Sequence, residues 1–258
     1  MENDWSKLSI TKIKTELQLR ELTVDDWYQL AQDSRQGVQQ IVKQHQRRLQ
    51  KEQALQASFV EREHFEQPFW QRRQLVAGID EVGRGPLAGP VVVAAVILPP
   101  TIDLLEINDS KQLSDQKRHT LYTRIVAQAV DISVAVGSPE LIDQENIYHA
   151  TELTMAKAVA GLFQKPAHLL VDAMHVPVSI AQTKLIKGDA RSVSIGAASI
   201  IAKVYRDELM KKYAQLYPGY GFEQNAGYGT KVHLAGLKTQ GICPIHRKTF
   251  APVKNYLG

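Results

Sequence analysis

Apolar runs separated by polar and glycine-rich stretches characterise the chain from about residue 73 onward. Residues 91–98 are all aliphatic and residues 75–79 form a shorter apolar run, which predicts two buried strands. Residues 131–137 alternate in polarity, and residues 168–172 and 184–186 are short and apolar, so each is predicted as a further strand. The chain therefore contains several strands separated by stretches of different character.

Helical patterns fill most of the intervals between these strands. Ser114 is a suitable N-cap for a helix that runs to about residue 130, and a second helix is predicted over residues 148–163. A third begins at Ser192 or Ser194 and ends near residue 213. Strands and helices in this order predict an α/β domain.

The first 72 residues differ from the rest because they are polar, rich in glutamine and helical in pattern. Thr23 begins a segment that resembles a capping box, and apolar positions at helical spacing recur from residue 38 to residue 55. Pro68 interrupts this pattern. We therefore predict a small helical N-terminal extension over residues 1–72 and a main domain over residues 73–258.

Acidic residues follow three of the predicted strands. Asp80 and Glu81 end the first apolar run, Asp172 ends another, and Asp189 follows the short strand near residue 185. Two carboxylates 4 Å apart repel by roughly 4 kcal/mol at an effective dielectric of about 20, so such a cluster needs cations. Ligands that are all oxygens favour Mg²⁺ or Mn²⁺, and two such ions are suited to phosphodiester hydrolysis. One difficulty is that adjacent strand residues point to opposite faces, so Asp80 and Glu81 share a metal only if the strand ends or twists there.

The glycines after this first acidic pair have three interpretations. Gly83, Gly85 and Gly89 approximate a dinucleotide-binding motif, but that motif requires a helix after the glycines. Pro86, Pro90 and an aliphatic strand follow instead, which argues against a nucleotide-binding oxidoreductase. The other two interpretations are an ordinary hairpin with a charged tip, and a turn that presents carboxylates to a metal and backbone to a nucleic acid.

The distribution of charge favours the nucleic-acid interpretation. The net charge of +4 combines −4 over residues 73–183 with +8 over residues 184–258. Ser199, Lys203 and Arg206 fall on one face of the third predicted helix, where they could contact successive phosphates or simply face solvent. Glycines, tyrosines and basic residues are mixed over residues 217–250, as in many nucleic-acid grooves. The residues together predict a metal-dependent phosphodiesterase that acts on nucleic acid.

Neither export nor a membrane span is indicated by the sequence. The first residues lack a basic segment leading into an apolar run, and no apolar stretch is long enough to span a bilayer. Cys243 is the single cysteine and cannot form an intrachain disulfide. We therefore expect a cytoplasmic protein without membrane contact, and a monomer.

The ordered motifs resemble those of type 2 ribonucleases H, the ribonuclease HII family. The resemblance is strongest over residues 78–91 and continues, in the family's order, through five further segments: residues 108–114, 171–172, 187–189, 197–207 and 227–230. It covers about residues 73–252. It implies a ribonuclease H-like fold, with a mixed five-stranded sheet flanked by helices and a helical C-terminal segment.

The resemblance also implies an activity. Family members hydrolyse the RNA strand of RNA–DNA hybrids and incise 5′ to single ribonucleotides in duplex DNA, leaving 3′-hydroxyl and 5′-phosphate ends. RNA–DNA hybrid and DNA duplex containing ribonucleotides are thus the expected partners. Two competing hypotheses remain: a type 3 ribonuclease H, and a non-catalytic module that binds hybrids.

Site residues are transferred from the family position by position. Asp80, Glu81, Asp172 and Asp189 match the carboxylates that bind Mn²⁺ or Mg²⁺. The motif formed by Gly83, Arg84 and Gly85 matches the turn whose backbone reads the 2′-hydroxyl, the group that distinguishes RNA from DNA. Tyr228 matches the tyrosine that stacks at the RNA–DNA junction. Further candidates for phosphate contacts are Lys111, Ser199, Lys203, Arg206, His246 and Arg247.

Overall fold

The computed structural model describes residues 4–107, 110 and 113–257, and the chain divides into two compact units between Ser58 and Phe59. The first unit contains helices α1 (Ile10–Leu19) and α2 (Val24–Gln32) and most of α3 (Gln36–Arg62). The predicted capping box is confirmed, since Asp26 N donates to Thr23 Oγ1 and Thr23 N donates to Asp26 Oδ2. The core of this unit contains Trp5, Ile13, Leu30, Val38 and Val42.

A five-stranded mixed sheet forms the centre of the second unit. Its strands are β1 (Val76–Val82), β2 (Val91–Ile97), β3 (Asp131–Gly137), β4 (His168–Asp172) and β5 (Gln182–Leu185). The spatial order is β3-β2-β1-β4-β5. Strands β1, β2 and β3 pair antiparallel, whereas β1–β4 and β4–β5 pair parallel. The predicted fold class is confirmed.

The second unit contains further helices, two of which begin at a predicted capping residue. They are α4 (Gln67–Trp70), α5 (Asp115–Gln128), α6 (Pro139–Ala160), α7 (Val193–Leu216), α8 (Phe222–Asn225) and α9 (Lys231–Gln240). Ser114 caps α5 and Ser192 caps α7 through their side-chain oxygens. Helix α6 contains a kink at Asn146, where φ is 62°, so the helix predicted from residue 148 is its second part.

The two faces of the sheet are covered by different helices. Val92, Ala94 and Val96 share a core with residues of α5 and α7, whereas Ile79 and Val93 share another with residues of α6. Helix α7 lies very close to β1: a Cβ added at Gly78 would lie 2.1 Å from the carbonyl carbon of Ser194. Only glycine permits this approach, so Gly78 fixes the distance between α7 and the strand that carries Asp80.

The division into packing units falls earlier in the chain than the sequence suggested. Residues 59–72 belong to the second unit, where Phe59 enters the core shared with α5 and α7. This segment has a polar composition, and composition alone associates it with the residues before it. The predicted domains, 1–72 and 73–258, thus stay a prediction. Within the part of the chain that the structure describes, no helix is long and apolar enough to cross a membrane.

Candidate active site

Three of the four predicted carboxylates lie at one end of the parallel part of the sheet. Ile79 of β1 pairs with Val171 of β4, so the next residues, Asp80 and Asp172, follow at the same level on adjacent strands. Asp189 lies in the single 3₁₀ turn Gly188–Ala190 that follows β5. Gly188 N donates to Asp172 Oδ1 at 2.6 Å, which ties this turn to the end of β4. The carboxyl ends of parallel strands thus gather side chains that are distant in sequence.

Glu81 leaves β1 on the face opposite to Asp80. The strand does not end between them, because its pairing with β2 continues to Val82 opposite Val92. Glu81 shares the face of Ile79, which packs towards α6, whereas Asp80 shares the face of Gly78, which packs against α7. The strand does not end at this pair, so a metal shared by both carboxylates would depend on the twist of the strand; the charge of Asp172 raises the pKa of both.

Burial and mutual repulsion disfavour the ionised forms of this acidic pair. Burial raises the pKa of Asp80 well above its usual value, and the charges of Glu81 and Asp172 add to this, while a hydrogen bond from Ser199 opposes it. Burial also raises the pKa of Glu81 to about 7, with Asp172 adding to the shift and the Arg84 guanidinium opposing it. Arg84 Nη1 lies 3.5 Å from Glu81 Oε1. The site is thus deficient in positive charge.

The chemistry of the donors fits a hard divalent cation better than it fits zinc. The four side chains offer only carboxylate oxygens, and a cation would relieve the repulsion that raises the pKa values of Asp80 and Glu81. A preformed cage is absent, since the described residues contain no group of three or more His, Cys, Asp and Glu side chains arranged to hold a metal ion.

Ser199 faces the carboxylates rather than the solvent. Its side chain is buried, hydrogen-bonds to Asp80, and lies 2.9 Å from Ser110 Oγ. Ser110 was not identified as a site residue from the sequence, although it lies within the motif at residues 108–114. Lys203, one turn after Ser199 on α7, forms an ion pair of 2.7 Å with Asp207. Lys111 lies outside the described residues.

The guanidinium of Arg247 binds the turn formed by Gly83, Arg84 and Gly85, called the glycine turn below, from inside the protein. Its Nη2 donates to Gly83 O at 2.5 Å, its Nη1 to Arg84 O at 2.8 Å and its Nε to Gly89 O at 2.9 Å. In a trans peptide the carbonyl and the following N–H point in opposite directions. The N–H groups of Arg84 and Gly85 therefore point away from Arg247, which is the orientation that backbone N–H groups need in order to bind a substrate.

Arg206 supports the same region from α7. It donates to Pro90 O and Ala226 O, both at 2.9 Å, and to Ala88 O at 3.3 Å. Both arginines are 0% exposed. Their donors are used by backbone carbonyls, so the structure places these two residues behind the turn instead of on the surface where phosphates were expected.

His246 is also buried and belongs to a chain of hydrogen bonds that ends at Tyr228. Its Nδ1 accepts from Cys243 N at 2.9 Å, so its Nε2 donates to His233 Nε2 at 2.9 Å. His233 Nδ1 then donates to Tyr228 O at 3.0 Å. Burial lowers the pKa of both rings, that of His246 to about 4, which keeps this network neutral. The predicted phosphate contact of His246 is thus replaced by support for the backbone of Tyr228.

Tyr228 itself remains accessible beside the glycine turn. Its side chain is 49% exposed, and its Cε1 lies 3.5 Å from the position that a Cβ of Gly85 would occupy. Arg84 therefore links Glu81 to the glycine turn, and Gly85 lies against Tyr228.

Comparison with known proteins identifies the family of this chain. Residues 77–253 match the family model described as Ribonuclease HII. The chain belongs to the ribonuclease HII family. Residues 9–70 match a second model, the Ribonuclease HII N-terminal domain. A curated Ribonuclease HII from Levilactobacillus brevis is 56% identical over 250 residues, which are 96% of this chain and 97% of that protein.

Solved structures with the same fold include members of two ribonuclease H types. Ribonuclease H2 from Pyrococcus horikoshii is 28% identical with a TM-score of 0.62, covering 70% of this chain and 96% of that one. Bst-RNase HIII in complex with Mn²⁺ is 24% identical with a TM-score of 0.53, covering 71% and 69% respectively, and shows the fold alone. The family match makes this ribonuclease HII homologue an endonuclease with ribonuclease H activity, and it favours type 2 over the type 3 alternative.

Proposed function

We propose that this ribonuclease HII homologue hydrolyses the RNA strand of RNA–DNA hybrids and incises duplex DNA 5′ to single embedded ribonucleotides, leaving 3′-hydroxyl and 5′-phosphate ends. The observation that carries the proposal is the continuity of the site. Arg84 reaches from the glycine turn to Glu81, and the opposite side of the turn, at Gly85, lies against the exposed ring of Tyr228. A phosphodiester at the carboxylates would thus place its neighbouring ribose at the turn.

Asp80, Glu81, Asp172 and Asp189 would hold the divalent ions, Mn²⁺ or Mg²⁺ and two in number. Support comes from the oxygen-only donors and from the raised pKa values of Asp80 and Glu81. When bound, such ions lower the pKa of an attacking water and stabilise the leaving oxygen. Ser199 orients Asp80, and the N–H of Gly188 orients Asp172.

Recognition of the ribonucleotide would fall to the turn at residues 83–85 and to Tyr228. Backbone N–H groups held in a fixed orientation can bind a 2′-hydroxyl that DNA lacks. The tyrosine ring would stack at the step between RNA and DNA. RNA–DNA hybrid and ribonucleotide-containing duplex are thus the proposed substrates, bound by a monomer in the cytoplasm.

Tyr228→Ala is expected to lower kcat/KM for a single-ribonucleotide duplex by about 5–150-fold, because stacking contributes about 1–3 kcal/mol per base. Tyr228→Phe keeps the ring and is expected to remain close to wild type. Steady-state cleavage of a labelled duplex measures both values. Tyr28→Ala, at a 65% exposed tyrosine of the first unit, is the matched control. Equal activity of Tyr228→Ala and wild type would exclude stacking by this ring.

The proposed function is tested with an end-labelled DNA duplex that contains one ribonucleotide, beside an all-RNA–DNA hybrid. The protein is incubated with Mn²⁺, with Mg²⁺ or with EDTA. Metal-dependent incision 5′ to the ribonucleotide is the expected result. Cleavage of the hybrid alone would instead indicate type 3 specificity, and binding without cleavage of either substrate would indicate a hybrid-binding module.

A further inference from the structure

Glu66 is a fully buried carboxylate that the proposed reaction does not use. It lies at the N-cap position of α4, in the segment that the N-terminal family model covers, yet it belongs to the second packing unit. Its exposure is 0%, and burial raises its pKa. Burying a carboxylate is costly unless hydrogen bonds compensate, so its contacts indicate what it does.

Two hydrogen bonds join Glu66 to the start of α7. Ser192 Oγ donates to Oε1 at 2.5 Å, and Ser194 N donates to the same oxygen at 3.0 Å. Ser192 Oγ also accepts from Ile195 N at 3.2 Å and so caps the helix. Glu66 thus satisfies one of the N–H groups that a helix start leaves without a partner, and it orients the capping serine.

The first turn of α7 is connected to the carboxylate site at three points. It begins directly after the 3₁₀ turn that carries Asp189. The backbone of Ser194 lies against Gly78, two residues before Asp80. Ser199, further along the same helix, hydrogen-bonds to Asp80. A shift of this turn would therefore move Asp189 and Ser199 relative to Asp80.

We propose that Glu66 is a positioning residue, which holds the start of α7 so that Asp189 and Asp80 keep the separation needed for metal binding. The inference rests on the proposed role of the carboxylates. It assigns a role in metal binding to the segment between the first unit and β1.

Because one oxygen, Oε1, accepts both hydrogen bonds, an amide can replace the carboxylate in this role. The full-length variant Glu66→Ala removes the acceptor oxygen, whereas Glu66→Gln keeps an acceptor oxygen on a side chain of the same length. Comparing the two tests whether the acceptor is what the role requires. Glu61→Ala changes an exposed glutamate of the same segment and serves as the control. Binding of Mn²⁺ to the metal-free protein is measured by titration calorimetry, and kcat and KM are measured on the single-ribonucleotide duplex.

Glu66→Ala is expected to weaken Mn²⁺ binding and to lower kcat by about tenfold each, the low end for residues that act through metal ligands, with little change in KM. Glu66→Gln is expected to lie closer to wild type than to Glu66→Ala in both measurements. A folded Glu66→Ala protein with wild-type Mn²⁺ affinity and kcat would overturn the inference. So would a Glu66→Gln protein as impaired as Glu66→Ala.

If Glu66→Ala does not fold, Glu66→Asp takes its place, because the shorter side chain withdraws the acceptor without removing it. Weakened Mn²⁺ binding by folded Glu66→Asp supports the inference, and wild-type binding overturns it. A result that rejects the proposed function can be distinguished from one that rejects the role of Glu66, because wild-type protein would then not incise the ribonucleotide duplex at all. An active wild type with unaffected Glu66 variants rejects the positioning role alone.

Discussion

Asp80→Asn is expected to abolish cleavage of both the single-ribonucleotide duplex and the RNA–DNA hybrid. Asparagine keeps the size of the side chain and the oxygen that accepts from Glu81 N, but it removes the charge that would bind the cation. Substrate affinity is expected to stay within about tenfold, because phosphate contacts supply most of the binding energy. Cleavage is followed with labelled substrates, and affinity by fluorescence anisotropy in EDTA.

The control for this variant is Asp103→Asn, which changes an exposed aspartate of the same unit. Thermal unfolding of the metal-free protein supplies a second readout. Because burial and neighbouring charges disfavour ionised Asp80, the neutral asparagine is expected to leave the metal-free protein at least as stable as wild type. Cleavage by Asp80→Asn under saturating Mg²⁺ would contradict the assigned role.

Arg247→Lys is expected to lower kcat/KM for the single-ribonucleotide duplex by about 100-fold, the cost of misplacing a reacting group by roughly 1 Å. Lysine keeps the charge but cannot present the planar fork that binds the carbonyls of Gly83, Arg84 and Gly89 together. Loss of the fork lets the turn rotate its N–H groups away from the substrate. Cleavage of the all-RNA–DNA hybrid is expected to fall less, because a hybrid offers a ribose at every position.

Arg124→Lys is the matched control, since Arg124 is exposed and donates to a single carbonyl, that of Asp103. Steady-state kinetics on both substrates give the ratio of the two kcat/KM values. An unchanged ratio with both activities reduced would indicate general loss of the fold, which thermal unfolding measures independently. Wild-type values on both substrates would reject the positioning of the turn by Arg247.

The sequence reliably indicated elements whose signals are local. Ser114, Ser192 and Thr23 mark helix starts because a side-chain oxygen caps the nearby N–H groups, and this depends on a few adjacent residues. The aliphatic run at residues 91–98 predicts a buried strand, and β2 is the central antiparallel strand. Asp80, Glu81 and Asp172 were also recognisable from the sequence, because each follows a run of adjacent apolar residues.

The family motif added what periodicity could not, since it singled out Gly83, Arg84, Gly85 and Tyr228 before any contact was known. The structure brings the turn and the tyrosine together, with 3.5 Å between Tyr228 Cε1 and a Cβ built on Gly85. Their roles in substrate recognition stay predictions.

The division near residue 72 followed composition, whereas packing associates residues 59–72 with the second unit.

The sequence by itself determined the family and the order of the strands and main helices, and it predicted the acidic residues as metal ligands. Only the tertiary structure decided which polar residues face the solvent. Arg206, Arg247 and His246 read as phosphate contacts in a basic segment, but each is buried and bonded to backbone or to another ring. Glu66 gave no signal in a glutamine-rich stretch, yet it accepts a hydrogen bond from Ser194 N at the start of α7. Arg206, Arg247 and Glu66 each bond to a segment more than a hundred residues away in the chain, and such partners are set only when the chain has folded.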